Sequence, residues 1–446
     1  MLTSKYVPPH LRHVTSKFHD STVTNKLLEA ELFPPVVSKS SVIDDAPVSV
    51  SGDGSDLPPL TTFATSVPQL NENITRAGYV SPTPVQKWTI PYSTAGRDIM
   101  ACAQTGSGKT AAFLFPIIEH LMADVTITSA SPTGRRCTAF PHALILAPTR
   151  ELAMQIYTEA RRFCYKTGIR PVVVFGGVEH LPQIADLERG ADILIATPGR
   201  LLDFAKHDKI SLRFVKHFVL DEADRMLDMG FEEQIRNIIS IVPTVRQTYM
   251  FSATFPIEIQ ALAKHFMKAY IFITVGSIGS PCKDVKQCFE IADEAAKYAR
   301  LCDILLEASV SDKFIIFVAT KKTADTLHMQ LTTARFPTTS IHGDRTQAER
   351  IEALAAFRCG EIPILVATDV AARGLDVSDI TYVINYDMST NMEDYVHRIG
   401  RTGRCGRAGT SITFLNRESA GVISGLIALL KSNDVVVPDT LRLLLR

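Results

Sequence analysis

The chain has no surplus of charge of either sign: Lys+Arg and Asp+Glu both number 47. A global basic field that would gather polyanions is excluded, so any nucleic-acid binding must use local patches. The eight cysteines form no C-x-x-C pair and no zinc spacing; the nearest two are Cys282 and Cys288. That pattern argues against a structural zinc or a disulfide framework and suits a reducing compartment. No apolar run approaches the roughly 20 residues a membrane span needs, and the start Met1-Leu2-Thr3-Ser4-Lys5 lacks a secretory apolar core.

What is present describes a soluble α/β protein. Hydrophobic residues make up 46% and charged residues 21% of 446 positions, enough for about two or three domains. Residues 1–58 read as a disordered tail, with Ser, Thr, Pro and Asp crowding positions 38–59 and no hydrophobic period. Acidic side chains outnumber basic ones there, so it is no basic arm. From Phe63 short β-branched runs such as Ala143-Leu144-Ile145-Leu146 and Ile193-Leu194-Ile195 alternate with helical stretches. Strands of that kind are buried on both faces of a parallel sheet. The Gly/Ser/Pro run at 276–281 interrupts the alternation, which restarts at Phe314-Ile315-Ile316-Phe317-Val318. The expected boundaries are 59–275 and 285–446, with 276–284 as linker. Residues 126–141 read as an exposed insertion in the first domain.

Two short runs carry the chemistry. Residues 103–110 read Ala-Gln-Thr-Gly-Ser-Gly-Lys-Thr, opening the helical run Ala111-Ala112-Phe113-Leu114. Thr105, Gly106, Ser107 and Gly108 can turn backbone N–H groups onto phosphate oxygens, and the helix start favours anions. Lys109 would reach the β- and γ-phosphates, and the Thr110 hydroxyl would sit on Mg²⁺. Ala103 stands where the strict phosphate-loop pattern has its first glycine. Asp221-Glu222-Ala223-Asp224 follows the apolar Phe218-Val219-Leu220. Asp221 there would hold the metal, and Glu222 would orient a water. Alone, the first run could be a chance turn and the second a helix cap. Together they indicate binding and hydrolysis of a nucleoside triphosphate. Only the first half has such a loop, so two α/β domains sharing one nucleotide site is the economical reading.

Further runs follow in fixed order: Gly-Tyr-Val-Ser-Pro-Thr-Pro-Val-Gln at 78–86, Ala-Pro-Thr-Arg-Glu-Leu-Ala at 147–153, Gly-Gly at 176–177, Thr-Pro-Gly-Arg at 197–200 and Ser-Ala-Thr at 252–254. The second half adds Gly-Asp-Arg-Thr-Gln-Ala-Glu-Arg at 343–350, Ala-Thr-Asp-Val-Ala-Ala-Arg-Gly-Leu-Asp at 367–376 and His-Arg-Ile-Gly-Arg-Thr-Gly-Arg at 397–404. In this set and order the chain, from Phe63 to Leu415, resembles the DEAD-box ATP-dependent RNA helicases. The resemblance implies two RecA-like, doubly wound parallel-sheet domains joined by a short linker. Tyr79, Thr83 and Gln86 resemble the family's adenine-reading segment, and the two-sided Gln86 amide can pair with the adenine N6/N7 edge. Asp376 resembles its ribose contact. An aromatic upstream stacks on adenine in the family. Phe63 lies 23 positions before Gln86, about two short of the family spacing, so Thr61 and Phe63 remain alternatives.

Pro148, Thr149, Arg150, Gly177, Thr197 and Arg200 resemble first-domain RNA contacts, and Gly343, Gln347, Arg350 and Thr368 second-domain ones. Their hydroxyls, guanidiniums and bare backbone suit phosphate contact; no aromatics interleave them, so binding should track the RNA backbone with little sequence preference. Ser252, Thr254 and His397 resemble the elements coupling hydrolysis to domain movement. Arg401 and Arg404, three apart and on one face if helical, resemble guanidiniums supplied to the nucleotide by the second domain. The run from Lys5 through Tyr6 to Arg12 resembles a tail motif of the Vasa-like, translation-initiation subfamily and would dock a translation-initiation factor; a plain disordered tail is the alternative. The expected protein is a monomeric RNA-stimulated ATPase using ATP and Mg²⁺, without a membrane, in the cytoplasm and also in the nucleus or ribonucleoprotein granules. A non-catalytic RNA clamp and a DNA-directed translocase are the rival readings.

Overall fold

A computed structural model describes residues 21–34, 46–104, 106–124, 138–276, 285–369, 380–403, 408–416, 419–432 and 435–444. Thr105, Asp376, Arg404, the Tyr6–Arg12 run, most of the 276–284 linker and most of the 126–141 insertion lie outside them. In the first domain the strands are β1 (Val48–Ser51), β2 (Ile99–Cys102), β3 (Ala143–Leu146), β4 (Pro171–Val174), β5 (Ile193–Ala196), β6 (His217–Leu220), β7 (Gln247–Ser252) and β8 (Ile271–Val275). Their order across the sheet is β1-β8-β2-β7-β6-β3-β5-β4. All neighbours pair in parallel except β1 with β8. Alternate residues of β2 and β3 feed opposite cores: Ile99, Ala101, Ala143 and Ile145 face one, Met100, Cys102, Leu144 and Leu146 the other. That is why these strands show continuous apolar runs without a polar face.

The second domain holds β9 (Val285–Ile291), β10 (Phe314–Val318), β11 (Thr338–Ile341), β12 (Ile364–Thr368), β13 (Tyr382–Asn385) and β14 (Gly409–Leu415), ordered β11-β12-β10-β13-β14-β9 and wholly parallel. Ile316 and Val318 enter one core, Ile315 and Phe317 the other. The expected fold class, two doubly wound parallel-sheet α/β domains, is what the chain adopts.

The expectation of disorder through residue 58 does not hold for its described part. Helix Ser21–Leu32 lies on the first domain: Glu29 pairs with Arg76, Glu31 with Arg161 at 3.0 Å, and the Leu32 carbonyl accepts from Arg162 at 2.7 Å. β1 adds an edge strand in which Val48 and Val50 are half-buried and Ser49 and Ser51 exposed. A four-residue half-buried strand needs only two apolar positions when a finished sheet supplies its partner. The surrounding Ser, Pro and Asp hide so weak a signal.

Candidate active site

The sheet order decides where chemistry gathers. Turns following parallel strands open at their carboxyl ends, where such sheets bind ligands. β2, β7 and β6 are adjacent, so their ends bring together the phosphate loop, the Ser-Ala-Thr run and the acidic pair, which lie far apart in sequence.

 Counted end to end, Leu220 closes β6 118 residues after Cys102 closes β2, and Ser252 closes β7 150 residues after it. β3, β5 and β4 continue the same edge and carry Pro148-Thr149-Arg150, Thr197-Pro198-Gly199-Arg200 and Gly176-Gly177. One edge thus has a phosphate-loop half and a half rich in phosphate-contact residue types.

On the first half, Gly108 takes a left-handed conformation (φ +91°) and caps helix Lys109–Ala123. A Cβ there would lie 2.4 Å from Gln86 Nε2, so glycine is required twice over. Gln86 is fully buried: its Oε1 accepts from Thr83 N at 2.9 Å and its Nε2 donates to the Gly108 carbonyl at 3.0 Å. Thr83 Oγ1 donates to the Ser107 carbonyl at 2.7 Å. The expected adenine-reading amide is therefore engaged at both ends, because a buried amide must be satisfied, and it ties its own turn to the phosphate loop. Phe63 packs edge-on against Tyr79 and Phe115 at 6.0 and 5.5 Å, while Thr61 is exposed. Gly106 (φ +83°) and Thr110 complete the described loop.

Lys109 is 6% exposed, and its Nζ donates to the Ala103 carbonyl at 3.0 Å. Asp221 and Glu222 are buried at the end of β6, with Glu222 left-handed at φ +54°. Burial pushes the Asp221 carboxyl up to about 7, against the pull of Lys109. Such a carboxyl is held ionised by a further cation. The donor set fits Mg²⁺: Thr110 and Asp221 would be its protein ligands, and few protein oxygens with several other ligands are usual for that ion. Among the described residues no ready-made cluster of three His, Cys, Asp or Glu ligands exists.

Asp224 was not among the expected site residues, yet it joins the two runs. Its Oδ2 accepts from Ala253 N, Thr254 N and Thr254 Oγ1, each at 3.0 Å. Ser252, which precedes Ala253 at the end of β7, is fully buried. His397, from the second domain, lies within electrostatic reach of Asp224, the carboxylate that also receives the Ser-Ala-Thr run, and its buried Nδ1 has no partner among the described residues. Burial, then the Arg225 charge, pushes the His397 imidazole down to about 3, which makes it a neutral group. Arg401 is 6% exposed with Nε donating to the His397 carbonyl at 3.1 Å. The helix stops at Ile399 and the chain turns before Gly403 (φ +68°), so Arg401 lies just beyond the helix; Arg404 lies outside the described residues.

The other half of the edge gathers guanidiniums. Burial, then the charges of Arg350 and, less strongly, Arg200, lower the Arg150 pKa, with Glu151 opposing. Arg200 Nη1 is buried without a partner among the described residues, and Nη2 donates to the Val178 carbonyl at 3.1 Å. Crowded, under-paired cations at helix starts are suited to phosphate oxygens. The second domain reaches this half through helix Gln347–Cys359: Gln347 Oε1 accepts from Arg150 at 3.2 Å and Arg350 pairs with Glu151 at 2.8 Å. Gly343 is exposed after β11, and Thr368 is buried at the end of β12. Pro148 and Thr197 are buried, and the Thr149 hydroxyl accepts from Leu152 N at 3.3 Å as a helix cap.

Gly177 (φ +74°) makes this half testable. A Cβ there would lie 2.0 Å from Arg150 Nη2. Gly177→Ala is therefore expected to displace that guanidinium and raise the RNA concentration for half-maximal ATPase stimulation about tenfold, the scale of one lost charge-assisted hydrogen bond. Nucleotide affinity without RNA should stay unchanged. An unaltered RNA titration would remove Arg150 and Gly177 from the interface.

Fold and site together define a two-domain, phosphate-loop nucleotide hydrolase with a second ligand surface on the same edge. The DEAD/DEAH box helicase signature matches residues 83–262, and the helicase conserved C-terminal domain matches residues 296–406. A variant of S. cerevisiae Dbp5 bound to Gle1 and IP6 is 30% identical, with 85% of this chain and 94% of that chain covered at a TM-score of 0.66. S. cerevisiae Dbp5 bound to RNA and ADP BeF3 is 28% identical over 85% and 98% of the two chains, with a TM-score of 0.70. Mss116p bound to ssRNA and AMP-PNP is 31% identical over 83% and 76%, with a TM-score of 0.72. The chain belongs to the DEAD-box helicase family, and its enzyme class is that of an ATPase and RNA helicase.

Proposed function

We propose that this chain couples ATP hydrolysis to local RNA strand separation or ribonucleoprotein remodelling. The observation that carries the reading is the shared sheet edge, which the second domain meets at both halves: Gln347 and Arg350 at the guanidinium half, His397 at the phosphate-loop half. Binding of RNA phosphates by Arg150, Arg200 and Arg350 and closure around a triphosphate then favour the same domain arrangement. The Dbp5 and Mss116p structures, each bound to RNA and a nucleotide, support binding of both ligands.

In this reading Lys109 neutralises charge on the β/γ oxygens, and Glu222 accepts a hydrogen bond from the attacking water and aims it at the γ-phosphorus. Arg401 and Arg404 meet the developing charge from the second domain. Mg²⁺, held by Thr110 and Asp221, would supply charge neutralisation. Asp376 would hold the ribose, and Phe63 with Tyr79 would flank the base. A translation-initiation partner at Tyr6–Arg12, and with it the Vasa-like subfamily, is proposed on the resemblance of that run alone. A cytoplasmic location is supported by free Cys102, Cys164, Cys288, Cys302 and Cys359.

The test is steady-state ATP turnover with matched single-stranded RNA and DNA. RNA should stimulate and DNA should not, since 2′-hydroxyl contacts distinguish them. Equal stimulation would favour a DNA-directed translocase, and turnover absent under every condition would favour a non-catalytic clamp.

A further inference from the structure

The structure assigns a positioning role to a buried ion pair that crosses between the domains: Arg225 of the first and Asp394 of the second. Arg225 follows Asp224 in helix Ala223–Asp228, is 5% exposed at its side chain, and bonds through Nη1 to Asp394 Oδ1. Its other partner is Asp228 on its own helix, at 3.3 Å. Asp394 lies in the first turn of helix Met392–Ile399 and is 11% exposed at its side chain. Asn391 steadies it: Asn391 Nδ2 donates to Asp394 Oδ2 at 3.0 Å, and Asn391 Oδ1 accepts from Asp394 N at 2.6 Å.

The placement of that helix matters more than the pair itself. His397 stands three residues beyond Asp394, and Arg401 hangs from the His397 carbonyl at 3.1 Å. Fixing the first turn against Arg225 therefore sets how far His397 and Arg401 enter toward Asp224 and the end of β6. A small misplacement of groups that meet a reacting centre lowers its rate steeply. The inference rests on the proposed reading, in which second-domain guanidiniums complete the hydrolytic site.

The energetics give the pair a signature. With the domains apart, each charge is hydrated. Bringing them together removes water from both, which is favourable only if both are present. Removing one leaves its buried partner uncompensated at the interface; removing both takes away that uncompensated partner and leaves Asp228, 34% exposed at its side chain, in reach of water. The two losses should therefore not multiply.

The experiment compares Arg225→Ala, Asp394→Ala, the double variant and the reversed pair Arg225→Asp/Asp394→Arg with the wild type. Each single substitution is expected to lower kcat at saturating RNA at least about tenfold, or 1.4 kcal/mol. The double variant should be no slower than the slower single, and the reversed pair should recover part of the loss. Nucleotide affinity without RNA and the melting temperature should not move, which separates positioning from folding. Single variants with normal kcat, a double variant whose loss is the product of the two, or a matching fall in RNA-free nucleotide affinity would each overturn the assignment. Wild-type turnover indifferent to RNA would overturn the proposed function instead. The pair would then be decided by the distance between fluorophores on the two domains with nucleotide bound: wider in either single variant supports it, unchanged overturns it.

Discussion

Lys109→Ala is expected to abolish ATP turnover. The side chain is buried at the start of helix Lys109–Ala123, among the turns of the phosphate loop and within electrostatic reach of Asp221. Its Nζ donates to the Ala103 carbonyl, a neutral acceptor. That carbonyl and the nearby Asp221 and Asp224 carboxylates hold the ammonium beside the phosphate loop, where a triphosphate would add the larger counter-charge. Removing one preorganised donor from such a site typically costs about 10²–10³ in rate, and here ground-state binding weakens as well. The measurement is phosphate release at saturating RNA, with circular dichroism to show that the fold is intact. Turnover near wild type would move the nucleotide site elsewhere.

Glu222→Gln should instead part binding from hydrolysis. Glu222 sits at φ +54°, where glutamate and glutamine are equally strained, so the backbone has no reason to change. Size is conserved and only the charge is lost. A water held by an amide is no longer polarised by a carboxylate, and general-base assistance is commonly about 10²–10⁴-fold. The expected outcome is nucleotide affinity at or above wild type, with RNA-stimulated turnover reduced by that factor. Retained turnover would assign the water to another group.

These side chains are legible in the sequence because their signals are local. A glycine-rich turn running into a helix and an acidic pair closing an apolar strand each fit within one short window. What was not legible depends on strand order. Asp224 receives Ala253 and Thr254 only because β7 lies beside β6, and nothing near residue 224 announces that neighbour. Arg225 meets Asp394 only because the two domains pack there, which no local run announces. Gln86 was recognisable as a placed amide, but its bond to the Gly108 carbonyl depends on how helix Pro84–Thr94 meets the phosphate loop. The spacing of Arg401 and Arg404 left open whether the segment is helical; the helix ends at Ile399, before Arg401.

β1 has a consequence for the behaviour of shortened chains. It is the antiparallel cover on β8, with Val48–Ser51 matched to residues 272–275. Without it, β8 would present a bare row of N–H and C=O groups flanked by Ile271, Ile273 and Val275, a ready template for strands of other molecules. A stretch whose composition suggests expendability thus works as a seal against self-association. A protein trimmed to begin at Leu57 would keep every catalytic group and become prone to clump at that uncovered margin.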